Sequence, residues 1–158
     1  MSLYHEEFMD EAIRLAEENV NSGKGGPFGA VVVRDGQIIA RGVNMVSAHN
    51  DPTAHAEVVA IRAACKELGW FEIKDCELYS SCEPCPMCLG AIYWARPKAL
   101  YFAASRKDAA KAGFDDAHIY DEICAPIAER KIPTTHARHG KSLNPFKKWA
   151  ESGNKVPY

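Results

Sequence analysis

Ser81-Cys82-Glu83-Pro84-Cys85-Pro86-Met87-Cys88, taken with Thr53-Ala54-His55-Ala56-Glu57 upstream, decides how this chain is read. Cys85 and Cys88 are three apart and follow a proline, so on a helix both thiols fall on one face. In a first helical turn they also lie in the positive end of the helix dipole, which favours thiolates. Zinc takes thiolate and imidazole in tetrahedral geometry, and His55 in the first turn of another helix completes a set with Cys85 and Cys88. Three protein ligands leave the fourth position to water or hydroxide, the mark of a catalytic zinc, one ion per subunit. Bound zinc lowers the pKa of such a water to about 7. Glu57 sits close to the metal without ligating it, where a carboxylate can pass protons from water to a substrate nitrogen.

A structural zinc competes with this reading. Cys82 makes the run Cys-x-x-Cys-x-x-Cys and could be a fourth ligand, which would make the chain a zinc-stabilised interaction module. That reading takes Cys82 from the loop before Pro84 and leaves Glu57 without a task. Cys65, Cys76 and Cys124 read as small buried residues.

Outward from the motif, helix and strand signals alternate. Glu6 to Val20 is an amphipathic helix, with Phe8, Met9, Ala12, Ile13, Ala16 and Val20 at helical spacing. Asn21 to Pro27 is a glycine-rich turn that lacks the phosphate-loop pattern. Ala30-Val31-Val32-Val33 and Gln37-Ile38-Ile39-Ala40 flank Asp35-Gly36, a two-residue hairpin signal, and the valine run predicts a strand covered on both faces. A helix capped by Asp51 or Thr53 runs to about Leu68. Leu78 to Ser80 is a short strand, Cys85 to Ala95 a helix bounded by Pro84 and Pro97, and Ala99 to Ala103 a strand. Asp108 to Ala112, Ile119 to Ala125 and Pro145 to Ser152 read as further helical turns, and Pro133 to His139 as a short edge strand. The order predicts an α/β protein, a three-layer α/β/α sandwich around a mixed, roughly five-stranded sheet. The last two of its first four strands should be parallel, with a right-handed crossover.

At 158 residues, with 47% hydrophobic and 25% charged, the chain reads as a single domain spanning 1–158. No apolar run reaches the roughly 18–20 residues a membrane span needs, and no signal-peptide pattern opens the chain, so the expected location is cytoplasmic. Met1-Ser2-Leu3 carries no weight. Six cysteines in such a chain argue against a disulfide framework. Net charge is −2 with scattered basic residues, which favours a small-molecule substrate over structured RNA.

The spacing H-x-E…P-C-x-x-C is the signature of zinc-dependent nucleobase deaminases. The chain resembles the cytidine and deoxycytidylate deaminase superfamily, and within it the bacterial guanine deaminases. Besides the two zinc stretches, the resemblance rests on Gly25-Gly26-Pro27-Phe28-Gly29-Ala30, Ala91-Ile92-Tyr93-Trp94-Ala95-Arg96-Pro97 and Ala112-Gly113-Phe114-Asp115-Asp116. It implies a cytidine deaminase-like fold, zinc at His55, Cys85 and Cys88, and Glu57 as proton shuttle. It also implies a purine base pocket completed by Phe28, Asn44, Trp94, Asp116 and Tyr158, with Asp116 sharing in catalysis. It further implies a homodimer in which the segment about 140–158 crosses to the partner and brings Tyr158 over its active site. The reaction would be hydrolysis of guanine to xanthine and ammonia. Each pocket residue has a plainer reading: Asn44 as a turn former, Trp94 as core, Asp116 as a solvated loop acid, Tyr158 as a frayed end. Guanosine, tRNA adenosine, cytosine and other aminoheterocycles remain alternative substrates.

Overall fold

The computed structural model describes residues 4–158; Met1-Ser2-Leu3 lies outside them. Contacts divide the chain into two units, one ending at Asp116 and one spanning Ala117–Tyr158. No helix is long and apolar enough to cross a membrane among the described residues.

The first unit is built on a four-stranded sheet. Helix α1 (Glu6–Asn21) precedes β1 (Gly29–Arg34) and β2 (Gln37–Val43), which are joined at Asp35-Gly36. Both turn residues have positive φ (51° and 74°), as a type I′ hairpin requires. A single turn, α2 (Val46–His49), leads to α3 (Ala56–Leu68), β3 (Cys76–Cys82), α4 (Pro86–Ala95), β4 (Ala99–Ala104) and α5 (Arg106–Lys111). The strand order is β2-β1-β3-β4. β1 pairs antiparallel with both neighbours, while β3 and β4 run parallel.

β1 is central, and its valines are fully buried. Because side chains alternate along a strand, Ala30 and Val32 join Ala56, Ala60, Leu78 and Ile92 in a core beneath α3 and α4. Val31 and Val33 join Phe8, Met9, Ala12 and Tyr79 beneath α1. This is the expected three-layer packing. Two glycines let the helices come close. A Cβ at Gly29 would lie 2.3 Å from the Ala12 carbonyl oxygen on α1, and one at Gly42 would lie 2.1 Å from the Ala56 carbonyl oxygen on α3.

The second unit contains α6 (Ala117–Cys124), a 3₁₀ turn at Ile127–Glu129 and α7 (Asn144–Glu151), none with a buried residue. The sheet has four strands rather than about five, because Pro133 to His139 is irregular. Pro133 has no N–H for a ladder, and Ala137 instead donates locally to the Thr135 carbonyl.

Two helix starts also differ from expectation. Asp51 does not cap α3. Its Oδ1 accepts from Thr53 N (2.8 Å) and Thr53 Oγ1 (2.7 Å), closing a turn before the helix. His55 is therefore the N-cap, with extended backbone, and only Glu57 of the pair lies in the first turn. Cys85 is likewise the N-cap of α4 rather than a first-turn residue.

Candidate metal centre

Two helix N-termini meet in the first unit. Pro86 occupies the first turn of α4, where its missing N–H costs nothing, and Cys85 Sγ accepts from Cys88 N (3.5 Å). On the facing element, the turn at Asp51 to Thr53 and the bond from Met45 N to the Ala54 carbonyl (2.8 Å) anchor the chain just before His55.

His55 Nδ1 lies 3.5 Å from Cys85 Sγ and 3.5 Å from Cys88 Sγ, and the three atoms fall within 4.8 Å of one another. A tetrahedral zinc with Zn–N near 2.05 Å and Zn–S near 2.3 Å would set N···S at about 3.6 Å. The donor set fits that ion in chemistry and in spacing. Cys82 does not join it. It is the last residue of β3 rather than a loop residue, and its Sγ donates to the Ser105 carbonyl (3.8 Å). Burial, with Glu57 nearby, pushes the Cys82 thiol up to about 11. The four-ligand structural site is not built.

The ligand thiols are strongly polarised. The Cys88 thiol and the His55 ring beside Cys85 hold its pKa down to about 4. Cys88 is pushed up by the Cys85 sulfur and by burial, and His55 is raised by the hydrogen bond to Cys85.

Glu57 is 6% exposed, and burial raises its pKa. Its Oε2 faces Cys88 Sγ (3.4 Å), and its Oε1 accepts from Ser80 Oγ (3.2 Å). Ser80, 2% exposed on β3, is a site residue that sequence reading missed. Its signal was there only in part: Ser80 and Ser81 alternate in a strand, and Ser81 turns the other way to accept from Gly29 N (3.0 Å).

Phe28, Asn44 and Phe114 gather around Gly26, where a Cβ would touch all three side chains at 3.5 to 3.6 Å. The Phe28 and Phe114 rings pack edge to face, with centroids 5.0 Å apart. Asn44 Oδ1 accepts from Gly26 N (3.4 Å) and Val46 N (3.3 Å), so the acceptor half of its carboxamide is already engaged. Asp116 is half-buried, and burial together with the neighbouring Cys85 charge raises its pKa. Trp94 is not core; it is 63% exposed on α4. Tyr158, in the second unit, is 73% exposed.

Residues 3–104, which carry Phe28, Asn44, His55, Glu57, Cys85 and Cys88, match the cytidine and deoxycytidylate deaminase zinc-binding region. The chain belongs to that deaminase family. The guanine deaminase of Bacillus subtilis is 60% identical over 154 residues, covering 98% of this chain and 99% of that one. The X-ray structure of guanine deaminase from Bacillus subtilis superposes with a TM-score of 0.96 at 59% identity, covering 99% of each chain. A tRNA-specific adenosine deaminase of Aquifex aeolicus is 40% identical over 102 residues, 65% of this chain and 67% of its own. As a family member, the chain is a zinc-dependent hydrolase of the deaminase class.

Proposed function

We propose that this deaminase hydrolyses guanine to xanthine and ammonia. The observation that carries the reading is identity sustained from end to end with a guanine deaminase, beyond the zinc region shared with tRNA adenosine deaminases. The net charge of −2 also suits a free base better than a folded RNA.

His55 Nδ1, Cys85 Sγ and Cys88 Sγ would hold zinc, which when bound supplies a Lewis acid and a water-derived nucleophile at neutral pH. Glu57 carries the protons. Its raised pKa suits a carboxyl that accepts a proton from water and releases it to the ring nitrogen beside C2, then to the departing amine. Ser80 holds Oε1, and Oε2, which faces Cys88 Sγ (3.4 Å), is the oxygen on the metal-site side for that transfer. Phe28, braced by Phe114, stacks on the purine face. Asn44 meets an acceptor on the base with its amide N–H. Asp116 accepts from base N–H donors and from the amine as it leaves.

The active form is a cytoplasmic homodimer in this reading. Its segment about 140–158 lies over the partner's site, where Tyr158 closes it beside Trp94. The exposure of Phe146, Trp149 and Leu143 on and beside α7 supports a covering partner. Free cysteines throughout accord with a reducing compartment.

Ammonia release measured on guanine, guanosine, cytosine and adenine tests the substrate. Guanine should dominate, and preference for any of the others would replace this reading. For the swap, a chain ending at Ser152 should keep zinc and lose turnover. Mixing it with the Glu57→Gln chain should restore activity through hybrid dimers; no recovery would overturn a tail acting in trans.

A further inference from the structure

Asn19 lies on α1, outside every motif of the site, and is 4% exposed. Its Nδ2 donates to the Gly26 carbonyl (2.9 Å) and to the Asn44 carbonyl (2.9 Å), using both protons of one amide group. These two carbonyls belong to the loop that carries Phe28 and to the residue just after β2. The same two segments are tied again by Asn44 N to the Phe28 carbonyl (3.1 Å) and by Gly26 N to Asn44 Oδ1 (3.4 Å). They are packed without slack: a Cβ on Gly25 would stand 2.1 Å from the Asn44 carbonyl oxygen and 2.9 Å from Asn19 Nδ2.

The consequence falls on the Asn44 side chain. With Oδ1 facing the N–H groups of Gly26 and Val46, rotation of the carboxamide by half a turn would set its NH₂ against two donors. Those two bonds are long, at 3.4 and 3.3 Å, so they orient Asn44 only while the backbone around them is fixed. The two shorter bonds from Asn19 fix it.

We infer that Asn19 is a positioning residue for base recognition: by clasping the Gly26 and Asn44 carbonyls it holds the Asn44 carboxamide with its amide donor, not its oxygen, free for the substrate. The ligand edge selected is therefore one that presents an acceptor, such as a purine ring nitrogen or an oxo group. This rests on the reading above in which Asn44 contacts the base.

The test is a double-mutant cycle with steady-state kinetics on the full-length zinc enzyme. Asn19→Leu removes both donors. Asn19→Asp keeps the volume and turns both contacts into repulsions, so it serves if the leucine variant folds poorly. Either should raise KM for guanine about tenfold, the equivalent of about 1.4 kcal/mol and the size of one lost hydrogen bond. Turnover number and zinc content should stay within about twofold of the parent, since α1 touches neither Glu57 nor the ligands through Asn19. Because Asn19 acts through Asn44, the double variant with Asn44→Ala should have the KM of Asn44→Ala alone. Additive effects on KM, or unchanged KM in both Asn19 variants, would overturn the inference. Failure of the guanine reading is distinguishable, since the parent enzyme would then not turn over guanine at all.

Discussion

Replacing Gly42 by alanine should disable the site without touching any residue in it. Gly42 lies on β2 opposite Ala30, under the first turns of α3. The added Cβ would stand 2.1 Å from the Ala56 carbonyl oxygen, 2.5 Å from Ala60 N and 3.0 Å from Ala60 Cβ. None of these atoms can move alone, because all belong to the helix. An ordinary C···O contact is about 3.3 Å, so α3 must retreat by about 1.2 Å. That helix has His55 as its N-cap and carries Glu57 in its first turn. Overpacking of this kind costs about 1–3 kcal/mol, and a displacement of about 1 Å at a catalytic group can cost about 100-fold in rate. We expect the melting temperature to fall by about 4–8 °C for a loss near 2 kcal/mol. Turnover should drop by about two orders of magnitude, with zinc bound more weakly. Gly90→Ala is the control: it lies inside α4, yet a Cβ there meets nothing within 4 Å. It should stabilise the helix by about 0.5–1 kcal/mol and leave turnover intact. A Gly42→Ala enzyme with parental melting, zinc content and turnover would refute the close-approach argument.

Glu57→Gln should keep one zinc per chain by metal analysis while losing about 10²–10⁴-fold in turnover; a half-active variant would remove Glu57 from proton transfer. Ser80→Ala deletes the donor to Glu57 Oε1, and we expect turnover to fall about tenfold with KM unchanged, in line with one hydrogen bond. Glu11, which bonds Arg14 Nε and Arg41 Nε at 2.7 Å each, offers a pH test. Those hydrogen bonds depress its pKa from 4.5 to about 2, so its stabilisation is full above the unfolded value and is lost as pH falls through about 2. Both arginines are half-exposed, so Glu11→Gln should cost only about 1 kcal/mol near pH 7. Denaturation of the parent and variant should converge only below pH 2; a constant difference would assign the loss to packing.

Elements whose cause is local were legible. The Asp35-Gly36 turn takes the two positive φ angles that its residues favour. The α4 helix starts after Pro84 and ends where Arg96 adopts a left-handed conformation before Pro97. The valine run of β1 is buried on both faces, as an unbroken apolar strand must be. What misread was decided at a distance or by a single turn. The Asp51 carboxylate served the Thr53 amide instead of α3, so the cap passed to His55. The expected edge strand at Pro133 to His139 is irregular, with Ala137 N turned to the Thr135 carbonyl within the segment. Cys82 looked like a loop thiol because β3 was read too short, yet it closes a strand whose seven residues are all buried.

The sequence by itself determined the zinc ligands' chemistry, the Glu57 carboxylate beside them and the alternation of helices with strands. Such features rest on residue type and on spacings of a few residues, where helix and strand periodicity settle which side chains meet. Only the tertiary structure decided which neighbours tune that chemistry. Ser80 reaches Glu57 across 23 residues and Asn19 reaches Asn44 across 25, through the pairing of β1 with its neighbours and the packing of α1 and α3 on opposite faces. The alternation of Ser80 with Ser81 marks at most a face, and an asparagine in a helix carries no mark of its partner. Sheet register and helix docking confer their roles, because a hydrogen bond depends on a few tenths of an ångström that no local spacing specifies.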